Sequence, residues 1–420
     1  MSIVRDEPGC ARLSVDWFTL GFGCASSLLV AVMVWRVTWA VADPAARDAL
    51  LARATINLWE GGTLARAGQV ATVFDPSSYW YAIQARFGHD FPLRTWSYPP
   101  TMLLLAVPLS FLPVIAALLV WSAIGTLLLW LGARTAGLTR STSVLALASP
   151  AALGNMLAGQ NGALCGALLL PGLMLLDRRP WIAGALLGAL IVKPQVAVLL
   201  PVCLLASRNW RALAAAALAA SAVGGLSALA FGLGSWTGFI TQVMPFMRRE
   251  ILEAPWFSGA YQSMIATPFM AARWAGGSLG TAYVVQAVSC LGAIALCWRA
   301  WRRPGTDPLT RAALTLALTF LATPYGYSYD MPALAAALIG LAVRDGPWQG
   351  EARVLFAAAW LWPGCSGWLG AMHMPPLGLA AVASAVVLVL QAQRREGHPA
   401  RPDLTPATQD PATFTTSVAA

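Results

Sequence analysis

The stretch AGALLGALIVKPQVAVLL, from Ala183 to Leu200, decides how this chain is organised. It lies within an apolar run, 181–206, that is interrupted once, by Lys193 and Pro194. Proline cannot continue a helix, so the run is not one straight segment. Arginines stand just before the run and just after it, which places both of its ends on one side of a membrane. We therefore predict two short helices that meet at a tip formed by Lys193 and Pro194.

Composition places the rest of the chain in the same environment. The 420 residues are 58% hydrophobic and only 11% charged, whereas a soluble domain has about 25% charged residues. We predict an all-α, polytopic transmembrane protein with about 10–13 membrane segments. The net charge of +9 does not indicate nucleic-acid binding, because the cations are scattered in pairs between apolar runs. No pair of cysteines has the spacing of a metal site.

The arginines give each predicted segment an orientation, because basic loops face the cytoplasm. One assignment satisfies all of the later Arg clusters, with segments 17–40, 114–133, 142–157, 161–176, the hairpin 181–206, 210–233, 280–298, 308–322, 330–343, 351–367 and 376–393. Residues 42–97 then form a first extracytoplasmic loop, and the apolar stretch 101–112 only dips into the outer leaflet. We predict one transmembrane domain over 1–395 in the cell (inner) membrane, with both termini cytoplasmic and a disordered tail, 396–420.

With that topology the unusual polar residues gather on the extracytoplasmic side. Lys193 is the most informative of them, because it is the one lysine among 27 basic residues and lies in an apolar run. A charge there costs roughly 2.5–3.5 kcal/mol on insertion scales, so it needs a partner or a function. Two interpretations are open. The side chain extends to the membrane surface, or it supplies a compact charge that binds a phosphate group.

The other candidates for a substrate cavity also have structural explanations. Gln160 and Asn161 either line the cavity or join helices by hydrogen bonds. Asp330 is either a site carboxylate or a helix N-cap, and its neighbour Tyr329 suits an interface belt as well as a sugar site. Tyr98 precedes a Pro-Pro pair and is either an interface anchor or a cavity residue.

These elements resemble, in order along the chain, one known family of membrane enzymes. The elements are WSYPPT from Trp96, GQN from Gly159, AGALLGALIVKPQ from Ala183, and TPY and YD in the stretch from Thr323 to Asp330. Over roughly residues 50–345 the sequence is similar to glycosyltransferase family 87, whose members are GT-C-type, polyprenol-phosphate-mannose-dependent mannosyltransferases.

This resemblance implies a hexosyltransferase whose active site faces away from the cytoplasm. It would move a sugar, usually mannose, from a polyprenyl phosphate to the hydroxyl group of a glycan or glycolipid acceptor, with inversion and without a metal or cofactor. Lys193 would hold the donor phosphate as charge develops on it. Tyr98, Gln160, Asn161, Gln195, Tyr329 and Asp330 would line the substrate cavity.

One departure from the family concerns the base that the acceptor hydroxyl requires. Such enzymes carry an Asp a few residues before an aromatic pair at the start of the first loop, and alignment on Trp59 puts Ala54 at that position. Glu60 and Asp75 are the candidate replacements nearest to the pattern, and Asp48 and Asp90 lie further away. Each could equally be a solvated loop carboxylate, so the base is either relocated or absent.

Two alternatives to an active transferase remain open. A lipid-linked sugar flippase or secondary transporter would also use half-helices and an intramembrane cation. Against a carrier stand the lack of duplicated halves and the scarcity of intramembrane carboxylates for ion coupling. A GT-C-like protein that has lost its activity is the remaining alternative.

The orientation is testable by labelling single cysteines in a cysteine-free background with a membrane-impermeant thiol reagent. Positions Asp75 and Ser328 should be labelled from outside, and positions Arg178, Arg302 and Arg395 only after permeabilisation. Labelling of positions 75 and 178 from the same side would overturn the arrangement, because the argument from the arginines assigns them to opposite sides.

Overall fold

A computed structural model of the chain describes residues 54–89, 93–255, 262–345, 348–371 and 376–396, together with isolated positions between 28 and 42. Several predicted features lie outside the described residues. They are most of the first segment, 17–40, the carboxylates Asp48 and Asp90, and the tail beyond Glu396.

The described part is built from helices joined by turns and short irregular stretches and contains no strand; its one β-bridge joins Ile265 and Tyr327. The helices up to residue 206 are α1 Ala54–Arg66, α2 Val70–Phe74, α3 Pro76–Phe87, α4 Leu103–Leu109, α5 Val114–Thr135, α6 Arg140–Leu147, α7 Pro150–Leu157, α8 Gly162–Met174, α9 Pro180–Gly188 and α10 Leu200–Ala206. The later ones are α11 Trp210–Phe231, α12 Leu233–Gly238, α13 Met244–Met247, α14 Pro268–Trp274, α15 Leu279–Arg302, α16 Pro308–Ala322, α17 Pro332–Asp345, α18 Glu351–Ala371 and α19 Pro376–Glu396. The predicted all-α class is confirmed.

Four helices in the described part are long and apolar enough to cross a membrane, namely α5, α11, α15 and most of α19. Shorter apolar helices accompany them, at Pro100–Leu109, Gly162–Met174, Pro180–Val192, Pro194–Ala206 and Pro308–Ala322. A helix rises 1.5 Å per residue, so these shorter helices span only about 15–23 Å. Pro100–Leu109 is the shortest of the five, and its length of about 15 Å is half the thickness of a bilayer core, so it is too short to cross by itself, as predicted.

Three segments differ from the sequence-based expectation in detail. The first loop is folded into α1, α2 and α3. The segment predicted as one helix over 142–157 is two, because Ser149 accepts a hydrogen bond from the backbone N–H of Ala152 at 3.2 Å and Pro150 begins a new helix. The predicted loop 234–279 is largely helical, with π-helical turns at Phe239–Val243 and Arg248–Glu253.

The hairpin 181–206 breaks where the Lys-Pro step predicts. Helix α9 continues as a 3₁₀ turn, Ala189–Val192, and Lys193 then leaves helical geometry, with φ −150° and ψ 74°. A residue before proline is excluded from the helical region by the proline ring. A second 3₁₀ turn, Pro194–Ala197, leads back into α10. The non-helical backbone of Lys193 thus separates the two 3₁₀ turns at the tip of the hairpin.

Two glycines bring this hairpin against α11. A Cβ atom on Gly184 would overlap the carbonyl oxygen of Ala212, and one on Gly188 would overlap that of Ala216. Gly184 and Gly188 are four residues apart and so share one helix face. Small residues at this spacing let the backbones of membrane helices approach closely. The close approach fixes the position of Lys193 relative to α11, because Lys193 follows Gly188 by only five residues.

Helices α8, α16 and α17 run between two ends of the molecule. At one end Asp177 pairs with Arg311, and Arg344 pairs with Asp307 and Glu396. At the other end the same three helices meet the turns that contain Asn161, Thr323 and Asp330. The residues assigned to the cytoplasmic and to the extracytoplasmic side by sequence are therefore separated in the structure. We call these the Arg344 end and the Lys193 end.

Replacing Gly188 with Ala should lower the melting temperature in detergent, because the added methyl group overpacks the contact with Ala216. Overpacking of this kind costs about 1–3 kcal/mol. Gly225→Ala in α11 is the matched control, since its Cβ would meet nothing within 4 Å. Equal melting temperatures for the two variants would contradict the close packing of α9 on α11.

Candidate active site

The ammonium group of Lys193 lies at the centre of the Lys193 end. Its Nζ donates a hydrogen bond to Asn161 Oδ1 at 2.8 Å and forms an ion pair with Asp330 Oδ1. It also lies 4.9 Å from the centroid of the Tyr329 ring, within the range of a cation–π interaction. Only 2% of the lysine is exposed. The side chain therefore does not extend to the surface, and the structure gives its charge a buried partner.

The turn before α8 supplies Asn161. Two nearby residues, Gly162 and Asn155, keep this turn against the backbone of Tyr329. A Cβ atom on Gly162 would overlap the carbonyl oxygen of Tyr329, so glycine permits the turn to lie against the Tyr329–Asp330 backbone. Asn155 joins the same two segments: its Nδ2 donates to the Tyr329 carbonyl at 2.9 Å, and its Oδ1 accepts from the Ala163 N–H at 3.2 Å.

Asn155 is a site residue that the sequence reasoning missed. It is 1% exposed and occupies the apolar helix α7. A buried amide in an apolar helix needs hydrogen-bond partners, and that signal was available in the sequence.

The turn that carries Asp330 is held from two directions. The Ala266 N–H donates to the Gly326 carbonyl at 2.9 Å, and Ser366 Oγ donates to Ser328 Oγ at 2.8 Å. The rings of Tyr327 and Tyr329 stack with centroids 4.9 Å apart. These contacts orient Tyr329 toward Lys193 and fix the short 3₁₀ turn Ser328–Asp330.

Tyr98 and Gln160 form the adjoining wall. Tyr98 Oη donates a hydrogen bond to Gln160 Oε1 at 3.3 Å. The Tyr98 ring packs edge-on against the Trp96 ring, with the ring centroids 5.4 Å apart. Three residues further on, Thr101 Oγ1 donates to the Ile191 carbonyl at 3.3 Å, close to the hairpin tip. The WSYPPT element is thereby joined to the GQN element and to the AGALLGALIVKPQ element. Gln195, in the turn after Lys193, is half-buried.

Helix α1 reaches this wall at its first turn, because a Cβ atom on Gly159 would overlap Thr55 Oγ1. Glu60 lies five residues further, about 7.5 Å along the helix, and its described contact is with α3. Its Oε2 is 2.7 Å from Arg86 Nε, and the carboxylate is 1% exposed. Burial raises the pKa of the Glu60 carboxyl above its ordinary value, and the Arg86 charge opposes this. Glu60 is thus not in the group of residues that contact Lys193.

Asp75 has a structural role in the loop. Its Oδ1 accepts a hydrogen bond from the Ser78 N–H at 2.6 Å, and Pro76 follows it as the first residue of α3. This is the geometry of an N-cap. The structure therefore brings Lys193, Asn161, Tyr329 and Asp330 together, with Tyr98 and Gln160 beside them, and leaves Glu60 and Asp75 apart.

Two polar atoms of the Lys193 group are buried without a hydrogen-bond partner in the structure: Asn161 Nδ2 and Asp330 Oδ2. A cavity of about 10 Å³ lies beside Asp330, lined otherwise by Leu169, Val196, Leu316, Thr319, Phe320 and Leu334. That is about the volume one water molecule requires. Each unpartnered atom costs about 1–3 kcal/mol, so the group retains hydrogen-bonding capacity that its own residues do not satisfy.

The buried pair predicts an asymmetry in stability. Lys193→Met or Asp330→Asn alone should lower the unfolding free energy by about 3–5 kcal/mol, because each leaves the other charge unpaired. The double variant should recover most of that loss, since replacing both partners is often neutral. Thermal unfolding of the wild type, the two single variants and the double variant in one detergent measures this coupling. Additive losses would show that the pair is not coupled.

Comparison with known proteins agrees with the arrangement of these elements. The model of Glycosyltransferase family 87 matches residues 96–324, which is more than half of the 420 residues. No curated protein and no solved structure matches the chain. The matched region contains Lys193 and Asn161; Asp330 lies just beyond its end, and Glu60 and Asp75 lie before its start. The chain therefore belongs to glycosyltransferase family 87 and is a membrane-embedded glycosyltransferase.

Proposed function

We propose that this protein transfers a sugar, mannose in the first instance, from a polyprenyl-phosphate-linked donor to the hydroxyl group of a glycan or glycolipid, with inversion. The observation that carries the proposal is the buried ammonium of Lys193 at the point where the family elements converge. A neutral sugar does not require such a cation, whereas a lipid monophosphate does.

The reaction needs positive charge at the donor phosphate. When the sugar–phosphate bond breaks, negative charge grows on the departing polyprenyl phosphate, and a fixed cation stabilises that charge. The N-terminus of α8 follows Asn161 directly and adds the positive end of a helix dipole. Lys193 and this helix end would hold the phosphate, and Tyr98, Gln160 and Gln195 would contact the sugar.

Glu60 is the best supported candidate for the base. Asp75 is engaged as a helix cap and Asp330 is paired with Lys193. Glu60 Oε1 has no hydrogen-bond partner in the structure, and burial raises the pKa of the carboxyl above its ordinary value, which makes it a stronger base. Arg86 holds the other oxygen. Glu60 would accept the proton of an acceptor hydroxyl that approaches along α1.

The Lys193 end would face away from the cytoplasm, in the cell (inner) membrane. The support is the separation of the two ends: the clusters at Arg178, Arg208 and Arg344 lie at the Arg344 end, where the Asn209 amide donates to the Leu176 carbonyl at 2.7 Å. Cationic loops remain in the cytoplasm. Donor and acceptor would then meet on the extracytoplasmic side, with both termini inside.

A transferase that has lost its activity is the second candidate, because Ala54 occupies the position where the family carries an Asp. Purified protein in lipid, supplied with radiolabelled polyprenyl-phosphate mannose, distinguishes the two. The proposed enzyme should release labelled sugar to water slowly or transfer it to added glycolipid. Binding of the donor without either product would support the inactive candidate.

Glu60→Gln should lower turnover by about 10²–10⁴-fold with donor binding little changed, because a general base contributes that much to the rate. Arg86→Gln is the matched control, since it breaks the same ion pair but keeps the carboxylate. We expect this variant to retain most of its turnover. Equal losses in both variants would mean that the pair only supports the fold, and Ala54→Asp would then test whether the family's own base position can be restored.

A further inference from the structure

We propose that Asp330 is the resting counter-ion of Lys193, and that the phosphate of the donor binds by exchanging with this carboxylate. The inference rests on the proposed function and specifies how its donor site is occupied before and after a reaction cycle. It concerns ion exchange alone, and no covalent bond forms or breaks in it.

The first support is that the ammonium has no open position. Asn161 Oδ1, Asp330 Oδ1 and the face of the Tyr329 ring surround Nζ, and the residue is 2% exposed. A phosphate can contact Nζ only if one of these groups leaves. Asp330 is the one that carries negative charge, so a phosphate replaces it without leaving the buried cation unpaired.

The second support is that the carboxylate is only half engaged. One oxygen of Asp330 binds Lys193, while Oδ2 has no hydrogen-bond partner in the structure and the residue borders the cavity of about 10 Å³. A water molecule in that cavity would hydrate the carboxylate after its release. Asp330 is the last residue of a short 3₁₀ turn and not part of the body of a helix, so rotation of its side chain can release Lys193 while the turn itself stays held.

The third support is a hydrogen-bond donor without an acceptor in the amide group that contacts the ammonium. Asn161 Nδ2 is buried and has no hydrogen-bond partner, although Oδ1 of the same amide accepts from Lys193. A buried N–H group without an acceptor is unfavourable in the empty protein. A phosphate oxygen that approaches Lys193 would accept from this group as well. The Lys193 group therefore has one anion to release and two donors for the anion that replaces it.

Exchange has a direct consequence for affinity. Asp330 competes with the donor for Lys193, so it weakens donor binding while it stabilises the empty protein. After transfer, the return of the carboxylate helps to displace the polyprenyl phosphate product. Removing the Asp330 charge should therefore strengthen donor binding, whereas removing a residue that only held the donor in place would weaken it.

The test uses the full-length protein in lipid nanodiscs and measures the binding of a polyprenyl monophosphate, with the corresponding polyprenol as the uncharged probe. Asp330→Asn should bind the phosphate at least about tenfold more tightly than wild type, and Lys193→Met about 10- to 150-fold more weakly, the range for a hydrogen bond to a charged group. Adding Asp330→Asn to Lys193→Met should change affinity no further. Affinity for the polyprenol should be the same in all four proteins.

Glu253→Gln is the control for loss of negative charge, since Glu253 pairs with Arg248 and accepts from Tyr283, and not from Lys193. It should change affinity by less than about twofold, as expected for an independent site. If Lys193→Met binds the phosphate normally, the proposed function loses its donor site. If Lys193→Met is weakened but Asp330→Asn is unchanged or weakened too, the exchange is wrong and the donor site stands.

A measurement on the wild-type protein covers the case in which Asp330→Asn does not fold. A lipid-soluble carbodiimide modifies carboxyl groups that become protonated in apolar surroundings. An ion pair with a cation opposes that protonation, and peptide mass spectrometry locates the product. Saturating polyprenyl monophosphate should increase modification of Asp330, and polyprenol should not. Unchanged or reduced modification with the phosphate would contradict the exchange.

Discussion

The structure depends on keeping one ammonium charge inside an apolar bundle. A cation at that depth is tolerated only with a partner, and the partners of Lys193 come from segments far apart in the chain: Asp330 is 137 residues away and Asn161 is 32. Each partner needs its own support. Gly162 lets two backbones touch, and Asn155 joins them by hydrogen bonds. The segments that carry Asn161, Lys193 and Asp330 are therefore one polar assembly, because removing either partner would leave the ammonium without one of its contacts in apolar surroundings.

Much of this arrangement could be predicted from the sequence, because the signals are local. The Lys-Pro step predicts the break at Lys193, and the arginines predict which helix ends lie together. The pair between Lys193 and Asp330 could not be predicted, because no local pattern distinguishes a carboxylate that caps a helix from one that neutralises a distant cation. The split at Ser149 and Pro150 was visible in the sequence as a cap followed by proline, but the apolar composition favoured one continuous segment.

The two loop carboxylates show how burial separates residues that look alike in sequence. Asp75 precedes Pro76 and two serines, which is an N-cap pattern, and the structure uses it so. Glu60 sits within a helix that also carries Trp59, and its carboxylate is buried against Arg86, whose side chain is 43% exposed. The Arg86 guanidinium also lies 5.4 Å from the Trp59 ring. The Glu60 carboxylate is buried and paired with one cation, and its Oε1 has no hydrogen-bond partner, whereas the Asp75 carboxylate is engaged with the backbone of α3.

The family match divides the candidate site into two parts. The match over residues 96–324 contains the cation and the turn that orients it, whereas the carboxylates of the first loop lie before it. Position 54, where the family carries an Asp, also lies outside the match and holds Ala54. In the proposed reaction, binding of the donor phosphate requires only the first part, since Lys193 and Asn161 would supply charge and hydrogen bonds without Glu60. Sugar transfer would require both parts, because the acceptor hydroxyl also needs a base. Under that proposal, a chain that had lost its base would still fold around Lys193 and still bind a lipid phosphate, so donor binding and turnover report on different parts of the site.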